Sequence, residues 1–259
     1  NTIERRLIKK ARSSKIVSIS IIEHWSWYKK RFQINGKNAL FPDHVILNDN
    51  VAYNEALAEG LPRKCLKPLG NIYLENLSKA HPTKLNQSKI KFKYKLPKNK
   101  NIIFFVSEKI KNGFNKKYVR DLGYDEFTVL NDIKSILTQN DYLVIKTHPE
   151  ENIKKFKMYE NKQISVISDC SIYEIITMSN QIIGMTSMLL IELAMFRNDI
   201  ISYIPNNKKK FIGSRIGATI NVRNISKTDY KLNLKKYRSF KRNYYGSKKR
   251  LINFINQLI

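Results

Sequence analysis

Residues 181–192 read QIIGMTSMLLIE: a short apolar run, a glycine, two hydroxyl residues and a second apolar run. The first run, 181–183, has the length and composition of a strand that is buried on both faces of a parallel sheet. Gly184 permits a tight turn, and the second apolar run is long enough for a helix. Strand, turn and helix in this order predict a βα unit, with Thr186 and Ser187 at the N-terminus of the helix.

The same alternation extends over most of the chain. Predicted strands lie at 16–22, 44–47, 67–69, 102–106, 142–145, 164–167, 181–183, 200–204 and 218–222, and predicted helices at 3–12, 50–59, 72–77, 124–138, 172–178, 188–196 and 247–258. Strands that alternate with helices are typical of right-handed βαβ units and parallel sheets. The sequence therefore predicts an α/β fold of two Rossmann-like domains whose parallel sheets face a cleft.

A change in composition divides these units into two series. Residues 81–100 are polar, rich in lysine and interrupted by two prolines, so we expect a domain linker there. Residues 1–80 then form part of one domain and residues 101–240 form a second. A basic C-terminal helix is expected at 241–259.

The composition is that of a folded protein with an unusual charge. The 259 residues are 42% hydrophobic, but 48 Lys and Arg outweigh 21 Asp and Glu, which gives a formal net charge of +27. Such a charge implies an anionic partner, for example a membrane surface, a nucleic acid or a phosphorylated substrate. A solvated basic surface is the simpler alternative. The densest basic stretch, 231–250, carries interleaved aromatic residues.

Cysteine usage and hydropathy favour a cytoplasmic protein. Cys65 and Cys170 are too far apart for metal-site spacing or a disulfide framework. The sequence has no run of about 18 apolar residues, and its N-terminus lacks the apolar region of a signal peptide. We therefore expect a reducing, cytoplasmic setting, where the basic surface can attach to the inner face of the cell membrane.

Residues at the carboxyl ends of the strands are the candidates for chemistry, because doubly wound folds bind their ligands there. Thr186 and Ser187 combine hydroxyl groups with the free N–H groups and positive dipole of a helix N-terminus, which suits a phosphate, although either residue could simply cap the helix. His148 can donate to a phosphate oxygen or cap a backbone group. The strand-end candidates are Glu23 and His24 in the first series, and Ser107, Glu108, Lys146, His148, Pro149, Ser168, Gly184, Thr186 and Ser187 in the second.

The order and spacing of two of these groups resemble a family pattern. His148-Pro149 and Thr186-Ser187 are similar to the HP and SS motifs of bacterial sialyltransferase-like and Kdo-transferase-like glycosyltransferases, which have the GT-B fold, and of related CDP-glycerol transferases. The resemblance implies that His148, Thr186 and Ser187 hold the donor phosphates and that Glu192 holds the ribose. The second motif here is Thr-Ser instead of Ser-Ser, which keeps both hydroxyl groups.

The first series is similar to the N-terminal domain of GT-B proteins of the UDP-N-acetylglucosamine 2-epimerase type. Glu23-His24 and Gly70-Asn71, each after a predicted strand, carry this resemblance. It implies an acceptor-side domain in which Glu23 or His24 acts as the catalytic base. Because such a domain usually holds about 100 residues or more, we expect this one to be incomplete.

Together these resemblances imply an inverting, metal-independent glycosyltransferase whose second domain binds a nucleotide sugar. The resemblance implies a CMP- or CDP-activated donor, an acidic sugar of the sialic, pseudaminic or Kdo kind, and a bacterial surface glycan or lipid-linked acceptor. The predicted strand ends carry no Asp-x-Asp, and the His and Cys residues lack metal-ligand spacing. We therefore expect neither a metal nor another cofactor.

Three alternatives stay open at this point. A CDP-glycerol or polyol-phosphate transferase would use the same motifs, and a UDP-sugar 2-epimerase would need no acceptor. A basic nucleic-acid-binding protein would explain the charge and the basic stretch 231–250. It would leave both motifs unexplained, so we do not expect nucleic acid as the partner.

Overall fold

The computed structural model of the protein describes residues 2–34, 38–80, 85–205, 211–226 and 234–259. The chain divides into two compact units, Asn1–Lys79 with Lys241–Ile259, and Ala80–Phe240. Each unit is built around a parallel β-sheet. This confirms the predicted α/β fold with two parallel sheets.

The first unit contains a three-stranded parallel sheet. Its elements up to residue 79 are α1 (Thr2–Ser13), β1 (Ile19–Ile22), α2 (Tyr28–Phe32), β2 (Gln33–Ile34), β3 (Asn38–Ala39), β4 (His44–Leu47), α3 (Asn50–Ala58), β5 (Leu66–Lys67) and α4 (Ile72–Lys79). The parallel strands lie in the order β1-β4-β5, and β2 pairs antiparallel with β3. Val45, Ile46 and Leu47 of the central strand are buried, as expected for a strand covered on both faces.

The second unit contains a six-stranded parallel sheet. Its elements are α5 (Gln87–Lys93), β6 (Asn101–Val106), α6 (Lys116–Leu122), α7 (Glu126–Ser135), β7 (Asp141–Lys146), β8 (Ile164–Ile167), α8 (Ile172–Met178), β9 (Gln181–Gly184), α9 (Met188–Leu193), β10 (Ile201–Tyr203), α10 (Ile212–Ile216), β11 (Ile220–Val222) and most of α11 (Leu234–Tyr244). The strands lie in the order β11-β10-β9-β6-β7-β8. The chain ends with α12 (Ser247–Asn256), which belongs to the first unit.

This strand order creates a topological switch point between β6 and β9. From β6 the chain moves outward through β7 to β8, and it then returns to the other side of β6 to build β9, β10 and β11. In open α/β sheets the loops diverge at such a reversal, which leaves a crevice at the carboxyl ends of the two strands. The loops after β6 and β9 are therefore the place where this unit can bind a ligand.

Most predicted elements are present, and the differences have simple physical causes. The predictions for 44–47, 164–167 and 172–178 match the structure to the residue. β1 begins three residues later than predicted, because Ile16 and Val17 are exposed and lie outside the sheet. The helices α2, α5, α6 and α10 were not predicted, since five to seven residues are too few to show a helical period. The single basic helix predicted at 241–259 is instead divided between the end of α11, which was not predicted either, and α12, because Gly246 between them has a left-handed φ of 76°.

The segment 81–100, predicted as a linker, contains α5 in its described part. Asn86 caps this helix by accepting from the N–H groups of Ser88 and Lys89. The helix then packs against α8 within the second unit. The segment is therefore part of a folded unit, and its short helix was hidden by the high lysine content.

Candidate functional site

The carboxyl ends of β9, β6 and β7 lie side by side at the centre of the six-stranded sheet. Val106, the last residue of β6, pairs with Lys146 of β7 on one side and with Gly184 of β9 on the other. The loops that follow the three strands therefore start level with one another. Six predicted site residues lie on these loops: Ser107, Glu108, His148, Pro149, Thr186 and Ser187.

Glu108 occupies the hydrogen-bond donors of the loop after β9. One carboxylate oxygen accepts from the Thr186 N–H at 2.5 Å, the other accepts from the Thr186 hydroxyl at 2.7 Å, and the Ser187 N–H also donates to Glu108. Burial raises the pKa of Glu108, and the hydrogen bonds from Thr186 and Ser187 oppose this rise only in part. The loop thus binds an anionic group, and its donors could equally serve phosphate oxygens.

Ser187 begins α9 as its N-cap. Its hydroxyl accepts from the Leu189 N–H at 3.3 Å, so the capping interpretation is correct for this side chain. Glu192 lies on the same helix and is half-buried. Ser202 on β10 donates to the Met185 carbonyl at 2.7 Å, which holds the start of the loop in place.

Gly184 lets α9 pack closely on the sheet beneath this loop. A Cβ atom at this position would lie 2.9 Å from Leu190 Cδ2 and 3.2 Å from Val106 Cβ. Such distances are shorter than ordinary van der Waals contacts. The contribution of Gly184 in the structure is therefore this close packing, which sets the position of the loop that follows it.

The loop after β7 fixes the imidazole of His148. The backbone N–H of Glu150 donates to His148 Nδ1 at 3.2 Å, so the neutral ring carries its proton on Nε2. The side chain is half-buried, and Pro149 beside it is exposed. The Nε2–H group is then a donor for a ligand that approaches the edge of the sheet.

A buried ion network holds this loop in place. Glu151 accepts from the His148 N–H at 2.7 Å and from the Ser107 hydroxyl at 3.3 Å. Lys155 pairs with Glu151 and, at 2.6 Å, with Glu126, and both carboxylates are fully buried. Sequence reasoning missed these three residues, because nothing local indicates that Glu126 and Lys155 meet. The network links the predicted site residues Ser107 and His148.

Lys146 and Ser168 meet behind the loops after β7 and β8. The ammonium group of Lys146 donates to the carbonyl of Thr147 at 3.1 Å and to that of Ser168 at 3.3 Å. Burial lowers the pKa of Lys146, although Cys170 and Asp169 nearby raise it. Lys146 is 8% exposed, so in the structure it ties two loops together.

An open cavity of about 500 Å³ adjoins the His148 loop. It lies between the loops that follow β6 and β7. Three lysines, two asparagines and two glutamates line it: Lys109, Asn112, Glu150, Glu151, Asn152, Lys154 and Lys155. Its polar lining suits a hydrophilic ligand more than an apolar one.

The first unit places Glu23 and His24 directly after β1, and both side chains are exposed. Two aromatic residues follow them. Trp25 is buried and donates from Nε1 to Asp49 at 2.8 Å. Trp27 is exposed, with a left-handed backbone φ of 57°, which is uncommon for a bulky side chain. Trp27 is therefore a candidate contact residue that the sequence alone did not single out.

In the described ranges, no group of three or more His, Cys, Asp or Glu side chains is arranged to hold a metal ion. Of the helices that the structure describes, none is long and apolar enough to cross a membrane.

A parallel sheet whose switch point carries anion-binding donors places the second unit in the class of Rossmann-like ligand-binding folds. No protein-family model matches the sequence, and no curated protein matches it. Among solved structures, the fold is similar to UDP-GlcNAc 2-epimerase from Methanocaldococcus jannaschii, with a TM-score of 0.58 and 14% identity over 98% of this chain and 74% of that one.

Two further structures show the same likeness. UDP-GlcNAc 2-epimerase from Neisseria meningitidis, bound to UDP-GlcNAc, has a TM-score of 0.60 and 12% identity, over 98% of this chain and 73% of its own. Anabaena Alr3699/HepE in complex with UDP-glucose has a TM-score of 0.54 and 10% identity, over 98% and 75%. At these identities the likeness establishes the GT-B-type fold.

Proposed function

We propose that the protein binds a nucleotide-activated sugar through the phosphates and transfers the sugar to an acceptor hydroxyl. The observation that carries this proposal is the meeting of the loops after β9, β6 and β7 at the switch point of the second sheet, where Thr186 and Glu108 are joined by hydrogen bonds. Phosphate groups commonly bind at this position in such folds.

Different residues bind the phosphates and the ribose of the donor. The N–H and hydroxyl groups of Thr186 bind the phosphates, and His148 donates from Nε2 to a phosphate oxygen. These donors stabilise the negative charge that develops on the leaving nucleotide, without a metal ion. Glu192, half-buried on α9, binds the ribose hydroxyls. The role of Lys146 and Ser168 is to hold the neighbouring loops in place.

The sequence motifs and the solved structures of similar fold both bear on the class of donor. The HP and Thr-Ser motifs favour a CMP- or CDP-activated donor with an acidic sugar of the sialic, pseudaminic or Kdo kind. Solved structures of similar fold contain UDP-GlcNAc or UDP-glucose. We therefore propose a pyrimidine nucleotide, with a CMP-linked acidic sugar as the first choice to test.

The acceptor is proposed to bind at the carboxyl edge of the first sheet. Glu23 and His24 are exposed there, and either can take a proton from an acceptor hydroxyl. Trp27 offers an aromatic surface on which a sugar ring can stack, and Lys30 Nζ lies 4.7 Å from the centroid of its ring. An acidic glycan or a lipid-linked acceptor at an anionic membrane fits the net charge of +27.

A second candidate function is epimerisation of a UDP-sugar. It is favoured by the fold of the UDP-GlcNAc 2-epimerases from Methanocaldococcus jannaschii and Neisseria meningitidis. A product assay separates the candidates. Conversion of UDP-GlcNAc by the protein alone supports the epimerase, a glycosidic product with an added glycan supports the transferase, and a phosphodiester product supports a polyol-phosphate transferase.

Calorimetric titration with CMP, CDP and UDP tests the site itself. We expect at least one of them to bind, and both His148→Ala and Thr186→Val to weaken it by about tenfold or more, since each removes a hydrogen bond to a charged group. Lys157→Met, an exposed change outside the site, is the matched control. Unchanged affinity in folded His148→Ala and Thr186→Val proteins would contradict the assignment.

A further inference from the structure

The carboxylate of Glu108 occupies the donors to which the proposed function assigns a phosphate. Both of its oxygens accept from Thr186, at 2.5 Å and 2.7 Å, and the Ser187 N–H adds a third donor. A phosphate that uses the same donors has to lie beside this carboxylate. A phosphate and a charged carboxylate that share the same donors repel each other strongly where solvent is largely excluded.

Two lysines that follow β6 and β7 pair with carboxylates other than Glu108: Lys155 with Glu126 and Glu151, and Lys109 with Glu150 at 4.0 Å. No ion pair within the described ranges includes Glu108. As far as the described residues go, a second anion would therefore meet a carboxylate that has hydrogen bonds but no ion-pair partner.

Burial and Glu151 favour the neutral form of Glu108, whereas the hydrogen bonds from Thr186 and Ser187 favour its charged form. From the loop after β7, Glu151 faces it as a like charge and raises its pKa; from the loop after β9 it meets the uncharged Thr186 and Ser187. Burial is the largest cause of the raised pKa. His148, on the same loop as Glu151, is a further ionisable side chain near this edge.

We propose that Glu108 takes up a proton from solvent when the phosphates of the donor bind, and that the resulting carboxylic acid donates a hydrogen bond to a phosphate oxygen. Glu108 is then the residue that makes donor affinity depend on pH. This inference rests on the proposed function, because it requires a phosphate at Thr186 and Ser187. A neutral acid relieves the repulsion and adds a donor to the site.

Calorimetric titration with UDP-GlcNAc, and in parallel with a CMP-linked acidic sugar, tests the proposal. Each phosphate of the two probes keeps a single, strongly acidic ionised oxygen, so neither probe has a phosphate proton that titrates near neutral pH. Each titration is repeated in two buffers of different ionisation enthalpy, which gives the number of protons taken up per ligand bound. The series runs from pH 6 to pH 9 on the full chain and on Glu108→Gln, Glu108→Ala, His148→Gln and Glu160→Gln.

For the unaltered protein we expect uptake of up to one proton per ligand and an affinity that falls by up to about tenfold per pH unit above the pKa of Glu108. Glu108→Gln, which is nearly isosteric, and Glu108→Ala lose this uptake and bind at least tenfold tighter than the unaltered protein at pH 9. His148→Gln keeps the uptake. Glu160→Gln removes the same charge from an exposed position and leaves both values unchanged.

Other outcomes overturn the inference in distinguishable ways. If a nucleotide sugar binds but the proton count is the same in Glu108→Gln, or if both Glu108 variants bind more weakly at every pH, Glu108 is a direct contact in its charged form and the inference is wrong while the proposed function stands. If neither probe binds and CMP, CDP and UDP do not bind either, the proposed function fails and the inference fails with it.

Discussion

Lys155 stabilises the loop that carries His148 through two buried ion pairs. It is 14% exposed and bridges Glu126 and Glu151, whose side chains are fully buried. Glu126 also accepts from the N–H groups of Ile110 and Lys111, which belong to the loop after β6. One ammonium group therefore stabilises both loops at this edge of the sheet.

Replacement of this lysine tests the network. Lys155→Met leaves two buried carboxylates without their cation, so we expect a loss of about 3–5 kcal/mol in the free energy of unfolding. Urea unfolding followed by circular dichroism measures the loss. The neighbouring exposed change Lys157→Met should cost less than about 0.5 kcal/mol. Equal stability of the two variants would show that the network contributes little.

Gly184 allows α9 to pack closely on the sheet, and a substitution tests this packing. Gly184→Ala forces a Cβ atom against Leu190, which we expect to destabilise the protein by about 1–3 kcal/mol. Shortening the opposing side chain should relieve this clash. In a double-mutant cycle with Leu190→Ala, the cost of Gly184→Ala should fall by at least half, and strictly additive costs would argue against a packing role.

Helix α8 is stabilised by a capping box at its N-terminus and by an ion pair with a neighbouring helix. Ser171 caps the helix, and Glu174 completes the capping box by accepting from the Ser171 N–H at 2.9 Å. Glu174 also pairs with Lys93 of α5 at 2.6 Å. The helix is thereby joined to α5, the element inside the segment predicted as a linker.

The contribution of Glu174 to the stability of the fold depends on pH in a defined direction. Burial alone would raise the pKa of Glu174, but hydrogen bonds from Lys93 and Ser171 outweigh it and lower the pKa to about 2. Because the pKa is lower in the folded state than in the unfolded state, the charged form stabilises the fold above about pH 4.5, and this contribution is lost as the pH falls towards 2.

We therefore expect Glu174→Gln to be less stable than the unaltered protein by roughly 1–2 kcal/mol at pH 6. This loss is smaller than the free energy that corresponds to the full pKa shift, because Lys93 is 60% exposed and solvent weakens its interaction with Glu174. Urea unfolding at pH 6, 5, 4 and 3 measures the difference, which should shrink below pH 4.5. A difference that stays constant over this range would contradict the predicted titration of Glu174.

At the scale of the whole molecule, the C-terminal segment folds with the N-terminal residues of the first unit. Glu75 is 2% exposed and accepts from the N–H groups of Gly246 and Lys248. Tyr244 donates to Asp49 at 3.0 Å, and these two residues are 195 positions apart. The first unit therefore depends on both ends of the described chain.

The two tryptophans allow the stability of the first unit to be measured separately from that of the second. Trp25 and Trp27 both lie in the first unit, so tryptophan fluorescence reports on that unit alone. Glu75→Gln weakens the hydrogen bonds to the C-terminal segment and should lower the stability seen by fluorescence by roughly 2 kcal/mol. Glu160→Gln, in the second unit, should leave the fluorescence transition unchanged. A normal transition in Glu75→Gln would show that the C-terminal segment adds little.

Local patterns in the sequence were enough to predict the strand ends and hence the edge where His148 and Thr186 lie. Short apolar runs that end at a polar residue or a glycine are short-range signals, so β4, β8 and β9 could be placed within a residue. Contacts between distant residues left no such signal. The hydrogen bonds from Thr186 to Glu108 span 78 positions, and those of Lys155 reach from its own loop to Glu126 on α7.

The most direct test of the central claim is a nuclear magnetic resonance titration of the backbone amides with a nucleotide sugar. We expect the N–H resonances of Thr186 and Ser187 to shift among the most strongly of all residues, together with the imidazole resonances of His148, and to saturate with the measured affinity. Saturable binding that leaves these resonances unchanged, and shifts residues elsewhere, would contradict the claim.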